Sequence, residues 1–257
     1  MTSINSLVHA SGALERQLDT VANNLANAST TGYKADQAAF KEVLATVQRV
    51  APESTEESFL SHEYLDEYVG MERSTVKVDE IGKNFTVGRL RQTGNQLDLA
   101  LEGQGFFTVS TPQGMRYTRA GNFQLDGEGR MVTHDGFALM GQNGEIRVNG
   151  SELQVDAGGQ VVVDGQVVDS LQINEFRRPQ NLQKLGANLF APVHSDDVPI
   201  PAQEVSLKQG MLEDSNVNTV LEMTRMITAQ RAYETVQRAI SNIDRIDERA
   251  ISIARVG

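Results

Sequence analysis

Apolar positions near the N-terminus recur in steps of three and four. Ile4, Leu7, Ser11, Leu14, Leu18, Val21, Leu25 and Ala28 make one seam, apolar except at Ser11. That is the spacing of a heptad helix. It would run roughly 40 Å at about 1.5 Å per residue, with Gly32 as its C-terminal stop. The C-terminal segment repeats the pattern at Met226, Ala229, Tyr233, Val236, Ile240, Ile243 and Ala250. Asp247 interrupts that seam, while Ile246 and Ile253 lie beside it and widen it. Ser215 or Asn216 offers an N-cap, and Glu234 with Arg238 is a favourable i,i+4 pair. Isolated amphipathic helices of this kind are marginal in water. The simplest arrangement therefore pairs the two ends of the chain as a coiled coil.

Between the ends the period changes from helix to strand. Leu97, Leu99 and Leu101 alternate with Asp98 and Ala100, and Phe107 and Val109 alternate with Thr108 and Ser110. Val161–Val163, Val167–Val168 and Leu171–Ile173 follow. Asp126-Gly127, Asp135-Gly136, Asn143-Gly144, Asn149-Gly150 and Asp164-Gly165 punctuate these runs and suit tight hairpins. Residues 81–170 hold 16 of the 22 glycines, and all prolines fall between Pro52 and Pro201. The expected fold class is α+β: long N- and C-terminal helices paired as a coiled coil, with an inserted antiparallel β domain. The expected divisions are a helix over 1–34, a linker or extended region over 35–80, a β-rich domain over 81–205 and a helix over 206–257. Between Arg49 and Arg73 there is no Lys or Arg, and Glu53, Glu56, Glu57, Glu63, Asp66 and Glu67 accumulate there. Such a run reads as a solvated linker.

Composition narrows the function. The 257 residues carry a net charge of −11, which disfavours a phosphate-neutralising surface and hence nucleic acid as a partner. There is no cysteine, so disulfides and thiolate metal sites are excluded. No apolar stretch approaches the roughly 18 residues of a membrane span, and the start, MTSINSLVHASGALERQ, has no basic region before an apolar block. On these grounds alone the chain would be cytoplasmic.

Catalytic chemistry finds no foothold. His9, His62, His134 and His194 lack metal-ligand spacing. Asp126-Gly-Glu128-Gly fails as a calcium loop because Arg130 stands where a further acid is needed. Gly103-Gln-Gly105 leads into Phe106-Phe107, a strand rather than a helix, so it is no dinucleotide loop. No enzyme activity, cofactor or metal is expected.

One feature exceeds ordinary expectation. The first 33 residues carry only Glu15, Arg16 and Asp19 as charges. A surface helix normally turns charge to solvent. This one turns Asn, Ser, Thr, Gln and Ala outward, which suits a helix enclosed by others on several sides. A single coiled-coil pair with an uncharged exterior fits almost equally well.

"LDTVANNLANASTTGYKA" (18–35) resembles the N-terminal signature of the flagellar axial proteins, the rod and hook family. The resemblance continues in "LRQTGNQLDLALEGQGFF" (90–107), "YTRAGNFQLD" (117–126) and "GMLEDSNVNTVLEMTRMITAQRAYE" (210–234). The length fits a basal-body rod protein better than a typical hook protein, and "LMGQNGEIRV" (139–148) is more similar to the proximal than to the distal rod type. The resemblance implies a structural subunit that polymerises helically into a hollow drive shaft across the periplasm. Its partners would be copies of itself, other rod proteins and the flagellar export apparatus, and export would proceed without signal cleavage. The expected assembly interface comprises Leu14, Leu18, Val21, Asn23, Asn24, Leu25, Asn27, Gly32, Tyr233, Val236, Ile240 and Ile243, with the asparagines fixing register as buried Asn does in coiled coils. Two rivals share the periodicities: a soluble adaptor with a closed helical hairpin, and an enzyme or carbohydrate-binding β module.

Overall fold

The computed structural model describes residues 2–45, 73–194, 196–203 and 205–256, with side chains over 7–37 and 82–246 except at 195 and 204. The acidic run from Glu53 to Glu67 lies outside them. The chain is α+β: helix α1 (Thr2–Ala26), a strand-rich middle, and helix α2 (Thr219–Val256). The ladders between the strands of the middle are antiparallel. Asp36–Ala45 and Arg73–Lys83 form a two-stranded sheet, so the described ends of the expected linker are strands.

Contacts divide the chain into two units. The larger comprises Ala22–Gln37 and Gly82–Met223. Its main core gathers Leu99, Leu101, Phe107, Val109, Met131, Leu139, Ile146 and Val161. A second cluster packs Phe106, Tyr117, Phe176 and Phe190 largely edge-on or tilted, with Phe85 against it, the arrangement that the ring quadrupole favours. The other unit takes in the described parts of Met1–Val21, Ala38–Ile81 and Thr224–Gly257. Within it, Gln237 Nε2 donates to Ser11 Oγ at 3.5 Å.

The α2 seam is visible as a face of reduced exposure: Glu222 and Ala229 are buried, and Met226, Tyr233, Val236, Ile240 and Ile243 are half-buried among exposed neighbours. On α1 the deepest residues are Ala13, Thr20, Val21 and Asn24, while Leu14, Leu18 and Leu25 are half-buried.

Three local expectations are corrected. The helix does not begin at residue 206. Ser206–Gln209 pairs with Leu99–Glu102, and Met211–Glu213 pairs with Leu90–Gln92. Leu207 and Leu212 are buried there at strand spacing. The cap of α2 is neither Ser215 nor Asn216, because Asn218 Oδ1 accepts from the Leu221 amide at 3.1 Å. Nor do the strands alternate in burial as their sequence suggests: Leu99, Ala100 and Leu101 are all buried, as is Thr108. Both faces are covered there, and Asn174 Nδ2 donates to Thr108 Oγ1 at 2.8 Å, which satisfies the hydroxyl. The hairpin signals fare better. Asp164 and Gly165 both have positive φ, 49° and 80°, between Gln160–Val163 and Gln166–Ser170, as a type I′ turn requires.

Candidate functional site

The larger unit contains a junction where the last turn of α1, the first turn of α2 and the β core meet. Gly32 starts it. Its φ is +68°, a conformation open to glycine at little cost. A Cβ there would lie 2.4 Å from the Ala120 nitrogen and 2.5 Å from the Arg119 carbonyl carbon. The Gly32 amide donates to the Glu213 carbonyl at 2.7 Å. Chain reversal, close approach and hydrogen bond thus all fall on one residue, and the chain leaves α1 directly against the β core.

The next three residues, Tyr33, Lys34 and Ala35, are buried. Lys34 Nζ lies 2.5 Å from Glu213 Oε1 and donates to the Thr86 carbonyl at 2.8 Å. Arg119 Nε approaches Glu213 Oε2 at 3.2 Å, and its Nη2 donates to the Gly103 carbonyl at 2.5 Å. The Gly88 amide donates to Glu213 Oε1 at 2.8 Å. All three side chains are 1–3% exposed. Burial pushes Lys34 below its ordinary pKa, opposed by Glu213, and pushes Arg119 down likewise. Charges this deep persist only when paired.

A second set of contacts is made of amides. Asn24 Oδ1 accepts from the Asp36 amide at 2.9 Å, and its Nδ2 donates to the Asp36 carbonyl at 2.8 Å. Nδ2 also lies 3.5 Å from Glu222 Oε2, on the first turn of α2. The Tyr33 hydroxyl reaches Asn23 Oδ1 at 2.7 Å and Asn24 Oδ1 at 3.1 Å. Burial raises the Tyr33 pKa, and the charges of Asp36 and Glu222 add to the rise. Lys184 Nζ stands 4.1 Å from the centre of the Tyr33 ring and pairs with Asp36 at 2.9 Å. Asn216, expected as a cap, instead accepts from the Ala35 amide at 2.7 Å and donates to the Asn84 carbonyl at 2.8 Å.

Of the residues singled out in the sequence, this junction gathers Asn23, Asn24 and Gly32. Asn27 stays local, its Nδ2 donating to the Asn23 carbonyl at 2.9 Å. Leu14, Leu18, Val21, Tyr233, Val236, Ile240 and Ile243 lie along the two helices rather than in the junction, and Leu25 is half-buried in the last turn of α1. Lys34, Arg119, Glu213, Asn216 and Glu222 were not singled out for it. They sit inside the family-like segments all the same: 18–35 supplies Gly32, Tyr33 and Lys34, 90–107 supplies Gly103, 117–126 supplies Arg119, and 210–234 supplies Glu213, Asn216 and Glu222. Their convergence in space is what those segments have in common.

Comparison with known proteins decides the family. A model described as flagella basal body rod protein matches residues 4–34. The flagellar hook protein FlgE/F/G D1 domain matches 100–163, and the flagellar basal body rod FlgEFG protein C-terminal region matches 208–253. The flagellar basal-body rod protein FlgG of Bacillus subtilis is 30% identical over 99% of this chain and 100% of its own length. The chain belongs to the flagellar basal-body rod protein family. The rod protein FlgF of Caulobacter vibrioides is 33% identical over 93% of this chain and 91% of its own, and FlgG of Agrobacterium fabrum is 33% identical over 90% and 91%. Relatives under both names match at similar identity, which places the chain in the group that FlgF and FlgG share. It is a structural rod subunit of the flagellar basal body, not an enzyme. Among the described residues no helix is long and apolar enough to cross a membrane.

Proposed function

We propose that the rod subunit polymerises helically, with α1 and α2 pairing as a coiled coil in the inner layer of a hollow shaft and the β region outside. Such a shaft would transmit torque and pass exported subunits. Leu14, Leu18, Val21, Leu25, Tyr233, Val236, Ile240 and Ile243 would line the helix contacts, within a subunit and between subunits. Asn23, Asn24, Asn27 and Gly32 would set where the helices leave the wall. Neighbours would be copies of the chain and other rod proteins, delivered by the flagellar export apparatus without signal cleavage. The proximal position suggested by residues 139–148 belongs to the same proposal.

The observation that carries the proposal is the half-covered state of both seams, together with Leu221, Met223 and Ile227 standing about half exposed on α2. A helix with this much apolar surface gains from further neighbours at about 25 cal/mol per Å² covered. Contacts that do not close into a ring extend into helical assemblies. Limited proteolysis of the dilute chain, read by mass spectrometry, tests it. Rapid cleavage within 7–20 and 226–246, with a surviving fragment over 82–223, is expected. Termini as resistant as the middle would mean that the two seams close on each other within one chain, and would refute the proposal that they await neighbouring subunits.

A further inference from the structure

Asn-Gly occurs twice in the chain, at Asn143-Gly144 and Asn149-Gly150. In such a pair the glycine amide can attack the asparagine side chain, because glycine puts no Cβ in the way and leaves its backbone free to rotate. How readily the attack occurs depends on how the fold holds the two reacting groups. The two pairs are held differently. Asn143 is clamped by Asp169: its Nδ2 donates to Asp169 Oδ1 at 2.9 Å, and its main-chain amide donates to Oδ2 at 3.1 Å. The Gly141 amide donates to the Gly144 carbonyl at 2.6 Å and closes the same turn. Asn149 and Gly150 are both exposed. Neither the Asn149 side chain nor the Gly150 amide has a hydrogen-bond partner among the described residues. The chain is held again only one residue to either side, where the Val148 amide donates to the Gly129 carbonyl at 2.7 Å and the Ser151 amide to Asp164 Oδ1 at 3.2 Å. The fold also demands glycine at 150. A Cβ there would lie 2.2 Å from Asp164 Oδ2 and 2.5 Å from Val163 Cγ1, so a bulkier residue that would slow the attack does not fit.

We propose that Asn149 is a site of spontaneous modification by deamidation and isoaspartate formation, and that Asp169 shields Asn143 from the same reaction. The Gly150 nitrogen attacks Asn149 Cγ. The N–Cγ bond forms, the Cγ–Nδ2 bond breaks, and the side-chain nitrogen leaves as ammonia with the proton given up by the Gly150 amide. Water then opens the resulting succinimide at one of its two carbonyls, giving aspartate or isoaspartate at position 149. Either product adds a negative charge, and isoaspartate also adds a main-chain carbon. The change falls in the link between Val148 and Leu153, both members of the main core, so the modified chain should melt lower. Water is the sole co-reactant and no assembly is needed, so the site stands apart from the polymerisation proposed above.

The full chain is incubated in mildly alkaline buffer, folded and in urea, and each asparagine is followed by peptide mass spectrometry with fragmentation that separates aspartate from isoaspartate. In the folded chain, conversion at Asn149 should outrun that at Asn143 by about tenfold or more, since freeing Asn143 breaks hydrogen bonds to a carboxylate. In urea the two rates should converge. Asp169→Ala should raise the Asn143 rate of the folded chain by about tenfold and leave Asn149 unchanged. The site is overturned if Asn149 stays intact in the fold while the same pair reacts in urea. Equal conversion of the two asparagines in the folded chain would overturn the shielding, as would an unchanged Asn143 rate in an Asp169→Ala chain with a native circular dichroism spectrum. Should that variant fail to fold, the comparison of folded and urea-treated native chain decides alone.

Discussion

Gly32→Ala is the sharpest perturbation the junction offers. Two costs add. An L-residue at φ +68° loses about 1–2 kcal/mol relative to glycine. The new methyl would also sit 2.4–2.6 Å from three main-chain atoms of Arg119 and Ala120. Backbone cannot rotate away as a side-chain tip can, so relief requires moving the segment that carries Arg119 or breaking the 2.7 Å bond from Gly32 to Glu213. Overpacking of this kind adds about 1–3 kcal/mol, for a total of roughly 2–5 kcal/mol. Gly94→Ala is the matched control: its φ is +76°, and a Cβ there meets nothing within 4 Å. It should cost only the conformational part, about 1 kcal/mol. Urea unfolding followed by circular dichroism gives both values, because both glycines lie in the larger unit. If Gly32→Ala is no more destabilising than Gly94→Ala, close approach at Gly32 is not what the position demands.

Further outcomes follow from the same junction. Glu213→Gln leaves Lys34 and Arg119 without their counter-charge and should cost about 3–5 kcal/mol, whereas removing the exposed partner of Arg91 by Asp214→Asn should cost under about 1 kcal/mol. Similar values from denaturant curves would deny the cluster its buried character. Asn24→Leu should destabilise the isolated chain by about 1–3 kcal/mol, since Asn24 bonds to Asp36 of its own chain; an effect seen only on incorporation into basal bodies would make it purely a contact between subunits. Burial holds Lys34 below its usual 10.5. Between that lowered value and 10.5 the unfolded chain binds more protons than the folded one, so stability rises with pH there. Lys34→Met should lessen the rise, leaving the part due to Lys184, which is lowered for the same reason. Tyr33 acts oppositely. Its raised pKa keeps the phenol protonated in the fold, so stability falls as pH climbs past 10.0, and Tyr33→Phe should remove that component.

The helices were the most legible part of the sequence because their signal is local and periodic. Tyr233, Val236, Ile240 and Ile243 recur at the spacing of one helical face, and that face is the less exposed one. Asp164-Gly165 was legible for a similar reason, since the positive φ values it adopts are a property of the dipeptide and its turn. The junction was not. Lys34 and Glu213 are 179 residues apart in sequence, and no period links them. Asn216 has the chemistry of a cap but faces Ala35, Asn84 and Thr86, so tertiary partners outbid the helix end and Asn218 takes the role. Residues 206–213 were misplaced because two short strands with one buried leucine each carry too little pattern to stand out before a long helix. Thr108 shows the remaining difficulty: polarity suggested an outward position, while a partner on another strand, Asn174, let it be buried.

Hydrogen–deuterium exchange, measured on the dilute chain and on basal bodies containing it, tests the central claim most directly. The account predicts rapid exchange over 7–20 and 226–246 in the dilute chain and strong protection of the same amides after assembly. Gly32 and Gly88, whose amides are held by Glu213, should be protected in both states. Terminal helices equally protected before and after assembly would contradict it, because the seams would then be satisfied within one chain and need no neighbours.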